Sequence, residues 1–183
     1  MPGLTVMVPA DAGELTGMFD LGLSLSGPSV VRYPKAPCSA VLPDNQARVE
    51  LGKASVLRRG QTVALLAWGA LVASALEAGE VLDATVVSMR FVQPLDLGLL
   101  KELLGEHRVL VTLEENLVRG GGGEAILAAL NPIPLDKILV LKGLRPEFPP
   151  VGEREALLAE WGLDALGIQR TVEEIFSRME AAL

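Results

Sequence analysis

Few side chains in this sequence are suited to chemistry, and they fall in a handful of places. Arg32 stands in "GPSVVRYPKAP", where an apolar run ends in arginine, tyrosine, proline and lysine. Proline cannot continue a central ladder, so a strand stops here and delivers a guanidinium near the carboxyl edge of its sheet. Arginine suits bidentate capture of a phosphate or a carboxylate; a structural salt bridge is the other reading. Arg90, in "SMRFVQPLD", lies within an otherwise buried strand. A buried guanidinium needs a carboxylate or several carbonyls. Glu114 or Glu115 on a neighbouring strand is the obvious partner, in an internal ion pair or a domain-interface anchor.

Those two acids occur in "LEEN", at the carboxyl end of a strand, where α/β domains often place ligands. Adjacent strand residues point to opposite faces, so Glu114 and Glu115 cannot act together as a general acid/base pair. A structural role is expected, with one of them capping the glycine loop that follows. That loop, Gly120–Gly123, opens a helix and could present backbone N–H groups to an anion. It follows the third strand of its domain rather than the first. Glu124 in the first helical turn would itself occupy the positive end. A close backbone approach or a subunit contact is therefore preferred to dinucleotide binding.

Cys38 and His107 are the only residues of their types. A nucleophilic Cys38 would need a base, and His107, at a helix-to-strand junction, is the sole candidate; bland roles are expected for both. One Cys and one His are too few soft ligands for a structural zinc site. A single cysteine also fits a reducing compartment.

The elements that must position these residues follow from the apolar pattern. "GLTVMVPAD" reads as a buried strand. The helix after it has Asp11 as N-cap and Glu14 three residues on, as in a capping box. Leu15, Met18, Phe19 and Leu23 keep helical spacing. "SVVRY" is a second strand, and residues 34–52 read as a linker. Strands then alternate with helices: "QTVALLAWG", "ALVASALEAGEVL", "DATVVSMRFV", "PLDLGLLKELLGEH", "RVLVTLEEN", a loop and short helix, "DKILVLKGL", and two closing helices split near "GLDALG". That order predicts an α/β fold, a mainly parallel sheet with helices on both faces, preceded by a partial α/β segment. The N-terminal strand, helix and strand are too little for a core of their own and are expected to be part of something larger.

The 183 residues carry 23 acids and 16 bases, a net charge of −7. That balance disfavours nucleic acid as the main partner. No basic, apolar leader is visible and no stretch is long enough for a membrane span, so the default is a cytoplasmic protein.

Five stretches together resemble the 1-deoxy-D-xylulose-5-phosphate synthases of the transketolase-like thiamine diphosphate enzymes: "MVPADAGELTGMFDLGL", "GPSVVRYPK", "SMRFVQPLD", "VLVTLEENLVRGGGGEAIL" and "LLAEWGLDALGI". They occur in the family's order across nearly the whole chain. The resemblance implies that residues 1–50 are the end of a pyrimidine-binding domain with its linker, and residues 51–183 a transketolase-like C-terminal domain. It implies an enzyme that joins pyruvate to glyceraldehyde 3-phosphate with release of carbon dioxide, in a homodimer using thiamine diphosphate and Mg2+. On this resemblance Arg32 matches the arginine that binds the substrate phosphate. Lys35 stands where the family often has arginine. The family's Gly-Asp-Gly motif and its catalytic histidines are absent from these residues, so no catalytic, cofactor-binding or metal-binding residue is assigned, and this fragment alone is expected to bind no cofactor and to be inactive. Two alternatives stay open: a non-catalytic assembly subunit of a split transketolase-like enzyme, and a fragment of a 2-oxo acid dehydrogenase beta subunit.

Overall fold

A computed structural model describes residues 2–35, 42, 48–134 and 136–181. In chain order the elements are β1 (Thr5–Met7), α1 (Ala12–Ser24), β2 (Ser29–Val31), β3 (Ser55–Arg58), β4 (Ala64–Ala67), α2 (Leu71–Leu82), β5 (Thr85–Ser88), β6 (Phe91–Gln93), α3 (Leu97–Glu106), β7 (Val109–Leu117), α4 (Gly122–Ala129), β8 (Ile138–Leu144), α5 (Arg154–Glu160) and α6 (Ala165–Ala181).

Five strands form the main sheet in the order β3-β5-β4-β7-β8. The three pairings that join β5, β4, β7 and β8 are parallel, and β3 runs antiparallel to β5 at the edge. The near-continuous apolar strands are buried on both faces, as parallel strands under crossover helices must be. Leu65, Val86 and Val111 face α2 and α6 through Leu71, Ala75, Ile168 and Val172. Leu66, Val87 and Leu110 face α3 and α4 through Leu100, Leu103 and Ile126. The sheet with helices on both faces is as the sequence pattern predicts. Strand β3 is not: "SVLR" is four residues long and half-exposed, so its pattern carries no clear period.

A second sheet has three strands in the order β2-β1-β6. β1 and β2 are parallel across α1, and β6 adds to β1 antiparallel. The N-terminal strand–helix–strand is thus completed by a strand from the later part of the chain. Met7, Met18, Val49 and Phe91 form the small core beneath it.

"DATVVSMRFV" reads as one strand in sequence but is two. The chain breaks at Arg90, which adopts the left-handed conformation with φ of 58°, and β5 and β6 diverge into different sheets. The expected partner of Arg90 is corrected as well. Its guanidinium reaches neither Glu114 nor Glu115. Arg90 Nε donates to Glu14 Oε1 at 2.6 Å, with both side chains almost wholly buried. Ser88 Oγ donates to the same carboxylate, and the Ala10 amide donates to Glu14 Oε2 at 2.7 Å. Asp11 caps α1 as expected, accepting from the Glu14 amide at 2.8 Å. The Glu14 side chain, however, turns inward to Arg90 instead of serving only its own helix end.

The backbone around Arg90 locks the same seam. Its carbonyl accepts from the Val8 amide at 2.7 Å, and the Phe91 carbonyl accepts from the Trp68 indole at 3.0 Å. Removing one member of a buried, hydrogen-bonded pair strands the other charge. Arg90→Met is therefore expected to destabilise the chain by about 3–5 kcal/mol in urea denaturation, and adding Glu14→Gln to it should recover part of the loss. Full additivity of the two changes would show that the pair is not a coupled unit.

Candidate functional site

The sheet's carboxyl edge gathers Glu114, Glu115, the glycine loop and Arg32, while His107 sits elsewhere. β7 ends in "LEEN", and its two acids diverge as strand geometry requires. Glu114 points inward and is buried. Its carboxylate accepts from the Gly122 amide at 2.9 Å and the Gly123 amide at 3.0 Å, the first amides of α4. One of the acids does cap the glycine loop, and it is Glu114. Burial pushes its carboxyl above the ordinary value; the two amide bonds and nearby Arg32 act against that, and Glu124 adds to it.

The glycines are required by close approach. A side chain at Gly122 would lie 2.8 Å from the Trp68 ring, and one at Gly123 would lie 2.6 Å from Thr112 Oγ1. With Glu114 on its amides and Glu124 accepting from Gly120 at 2.7 Å, the α4 N-terminus is already occupied by carboxylates from this chain. A ligand phosphate would have to displace them.

Glu115 points outward. Its two carboxylate oxygens accept from Arg154, Nε to Oε1 at 2.9 Å and Nη2 to Oε2 at 2.5 Å. The pair borders a cleft of about 410 Å3 that Leu144, Leu157 and Trp161 also line. Arg32 lies just past β2, its backbone tied to the Met7 carbonyl at 2.9 Å. Its Nη2 donates to the Glu115 main-chain carbonyl. The side chain is exposed, and among the described residues it makes no ion pair. The salt-bridge reading of Arg32 thus finds no partner there, and an exposed guanidinium stands at the sheet's carboxyl edge. Tyr33 packs edge-on against Phe19 at 6.4 Å.

Sequence reasoning missed Glu14 and Arg154. Glu14 looked like an ordinary capping-box residue. Arg154 had one signal: a cation in the first turn of a helix, where the backbone dipole disfavours it, asks for a nearby anion. His107 lies before β7, at the opposite end of that strand from Glu114. Cys38 lies outside the described residues. No group of three or more His, Cys, Asp or Glu side chains among the described residues is placed to hold a metal ion.

The fold and the matched segment define the class. Residues 52–168 match the transketolase C-terminal domain, and the chain belongs to that family. Within it, the chain is 45% identical over 173 residues to the 1-deoxy-D-xylulose-5-phosphate synthase of Dechloromonas aromatica, and 48% identical over 174 residues to that of Thioalkalivibrio sulfidiphilus. The resemblance read from the five stretches holds. Each match covers 94% of this chain but only 28% and 27% of the two relatives, so the chain spans less than a third of their length. Among solved structures it resembles a split gene transketolase, described as an inactive beta4 tetramer, with a TM-score of 0.78 and 31% identity, covering 95% of this chain and 57% of that one.

His107 generates a pH prediction. It is buried, and neither ring nitrogen has a hydrogen-bond partner among the described residues. Burial pushes its pKa below 6.5, and Arg59 and Lys137 act the same way while Glu106 opposes them. Below about pH 6.5 the unfolded chain takes up a proton that the folded chain refuses, so stability falls as pH drops from there towards the lowered folded value. Urea denaturation at a series of pH values should show this acid loss, and His107→Leu should flatten it. An unchanged slope in the variant would assign the loss to other groups.

Proposed function

We propose that the chain acts as part of a 1-deoxy-D-xylulose-5-phosphate synthase, which condenses pyruvate with glyceraldehyde 3-phosphate and releases carbon dioxide. Residues 1–50 are read as the end of the pyrimidine-binding domain and residues 51–183 as the C-terminal domain of a cytoplasmic homodimer. Its product would feed isoprenoid, thiamine and pyridoxal synthesis. The relatives' identity supports the reaction. The exposed Arg32 guanidinium, free of any ion pair among the described residues, carries the assignment of a role within it: to hold the phosphate of glyceraldehyde 3-phosphate.

Thiamine diphosphate with Mg2+ would supply the carbanion chemistry of the whole enzyme. This chain has no Gly-Asp-Gly sequence and, among its described residues, no metal-ligand cluster. We read the seat for that group as belonging to another part of the enzyme, and this chain's part in the reaction as binding and orienting the phosphorylated substrate. In the complete enzyme Arg32→Ala should raise KM for glyceraldehyde 3-phosphate ~10- to 100-fold, the worth of one or two charged hydrogen bonds, with little change in KM for pyruvate. Equal effects on both substrates would make Arg32 structural.

A second reading, the association subunit of a split enzyme, is favoured by one surface. α1 keeps its helical spacing, yet Phe19 is 46% exposed and Leu23 87%. Val30 and Tyr33 continue the patch, beside β2, whose outer edge has no neighbour in its sheet among the described residues. An open parallel edge beside exposed apolar side chains fits an α/β partner that adds a strand there. Co-expression with a polypeptide carrying the missing part of the enzyme should give one co-eluting species on size exclusion, lost in Leu23→Asp/Val30→Asp. Persistence of the complex in that variant would place the contact elsewhere.

A further inference from the structure

Beyond Leu113, strand β7 loses its regular register with its neighbours. β4 pairs with it only as far as Ala67–Leu113. β8 pairs at Leu113–Lys142 and next at Leu117–Leu144. Three residues of β7, Glu114 to Asn116, therefore stand opposite the single residue Gly143. A bulge of this kind lacks regular ladder bonds and re-aims the groups it carries. Something other than the sheet must hold it.

Two side-chain anchors do so, one on each face. Glu114 is tied inward to the Gly122 and Gly123 amides. Glu115 is tied outward to Arg154 by a two-point fork at 2.9 and 2.5 Å. The main-chain carbonyl carried by this bulge, that of Glu115, accepts from Arg32 Nη2. Arg32 is exposed, and that bond is the only one its guanidinium makes among the described residues. Its other N–H groups are left for a ligand.

We infer that Arg154 is a positioning residue for Arg32: by holding Glu115 it fixes the carbonyl that orients the Arg32 guanidinium. The inference rests on the reading of Arg32 as the phosphate ligand. An exposed arginine loses much rotamer freedom when it is ordered. A fixed acceptor does part of that ordering before substrate arrives, which is preorganisation of the binding fork. Arg154 itself touches no substrate. Its effect passes through Glu115, so α5 controls a side chain that follows β2, more than a hundred residues earlier in the chain.

The test is a set of variants in the full enzyme: Arg32→Ala, Arg154→Ala, Arg154→Lys, Glu115→Gln and the double variant Arg32→Ala/Arg154→Ala. Arg154→Ala and Glu115→Gln should each raise KM for glyceraldehyde 3-phosphate ~3- to 10-fold, the scale of one ordinary hydrogen bond. KM for pyruvate should stay put. Arg154→Lys keeps the charge without the fork and should recover only part of the loss. The double variant should be no worse than Arg32→Ala alone, because the second change acts only through the first. If Arg154→Ala leaves both constants at wild type, moves them together, or adds fully to Arg32→Ala, the positioning role is wrong. If Arg32→Ala itself leaves KM for glyceraldehyde 3-phosphate unchanged, the reading of Arg32 is what has failed, and the relay falls with it.

Discussion

The buried ion pair between Glu14 and Arg90 is the interaction on which the arrangement of this molecule depends. It joins the first helix to the hinge between β5 and β6, and neither charge could be buried without the other. Around it Ser88 and the Ala10 amide complete the carboxylate's hydrogen bonds, so the pair is satisfied on the acid's side as well as paired. Its consequence is topological. Arg90 takes a left-handed backbone conformation that few non-glycine residues adopt, and the chain leaves the main sheet there to complete the small one. Without that turn β6 would continue β5, and β1 would lose its antiparallel neighbour. β2 and the arginine after it would then have no fixed relation to the end of β7.

From that fixed relation comes the candidate site. The small sheet brings the end of β2 beside the end of β7. The bulge in β7 turns its backbone towards Arg32. Glu114 and Glu115, adjacent in sequence, hold the bulge from opposite faces by different means: one binds amides at a helix start, the other a guanidinium. Neither acid is placed for proton transfer in concert with the other, and both serve to fix backbone. The carboxyl end of a parallel strand is where α/β domains place their ligands, and the reason is visible here: ladders end there, and carbonyls and side chains become available to something else.

Much of this was legible in the residues, within limits set by physics. Among the described residues, the alternation of apolar runs with 3.6-period segments reads through to five of the eight strands as separate elements and to all six helices, because burial on one or both faces imposes those periods locally. Asp11 as the N-cap of α1 was readable for the same reason; it accepts from an amide three residues on. β3 was not readable, since a four-residue edge strand with three half-buried positions imposes no period. The break at Arg90 was hidden because β5 and β6 are both apolar, and hydropathy does not register a change of sheet. The right partner for Arg90 was hidden because Glu14 is seventy-six residues away in the chain and also satisfies a local capping pattern, which masked its long-range role. That one acid of the Glu114–Glu115 pair caps the glycine loop could be foreseen from strand parity and a loop a few residues on; that it is Glu114 was decided by which face of β7 meets α4.

What the sequence determined by itself is the order of elements, the doubly covered parallel sheet, the kinship with transketolase-like enzymes and the prominence of Arg32. These follow from local periodicity, from proline and glycine punctuation, and from residue types whose chemistry does not depend on neighbours. What only the tertiary structure decided is which charges meet: Glu14 with Arg90, Glu115 with Arg154, and the carbonyl of a bulged strand with Arg32. Pairing of charges is a matter of distance and desolvation, and those exist only once strands far apart in the chain have been set side by side.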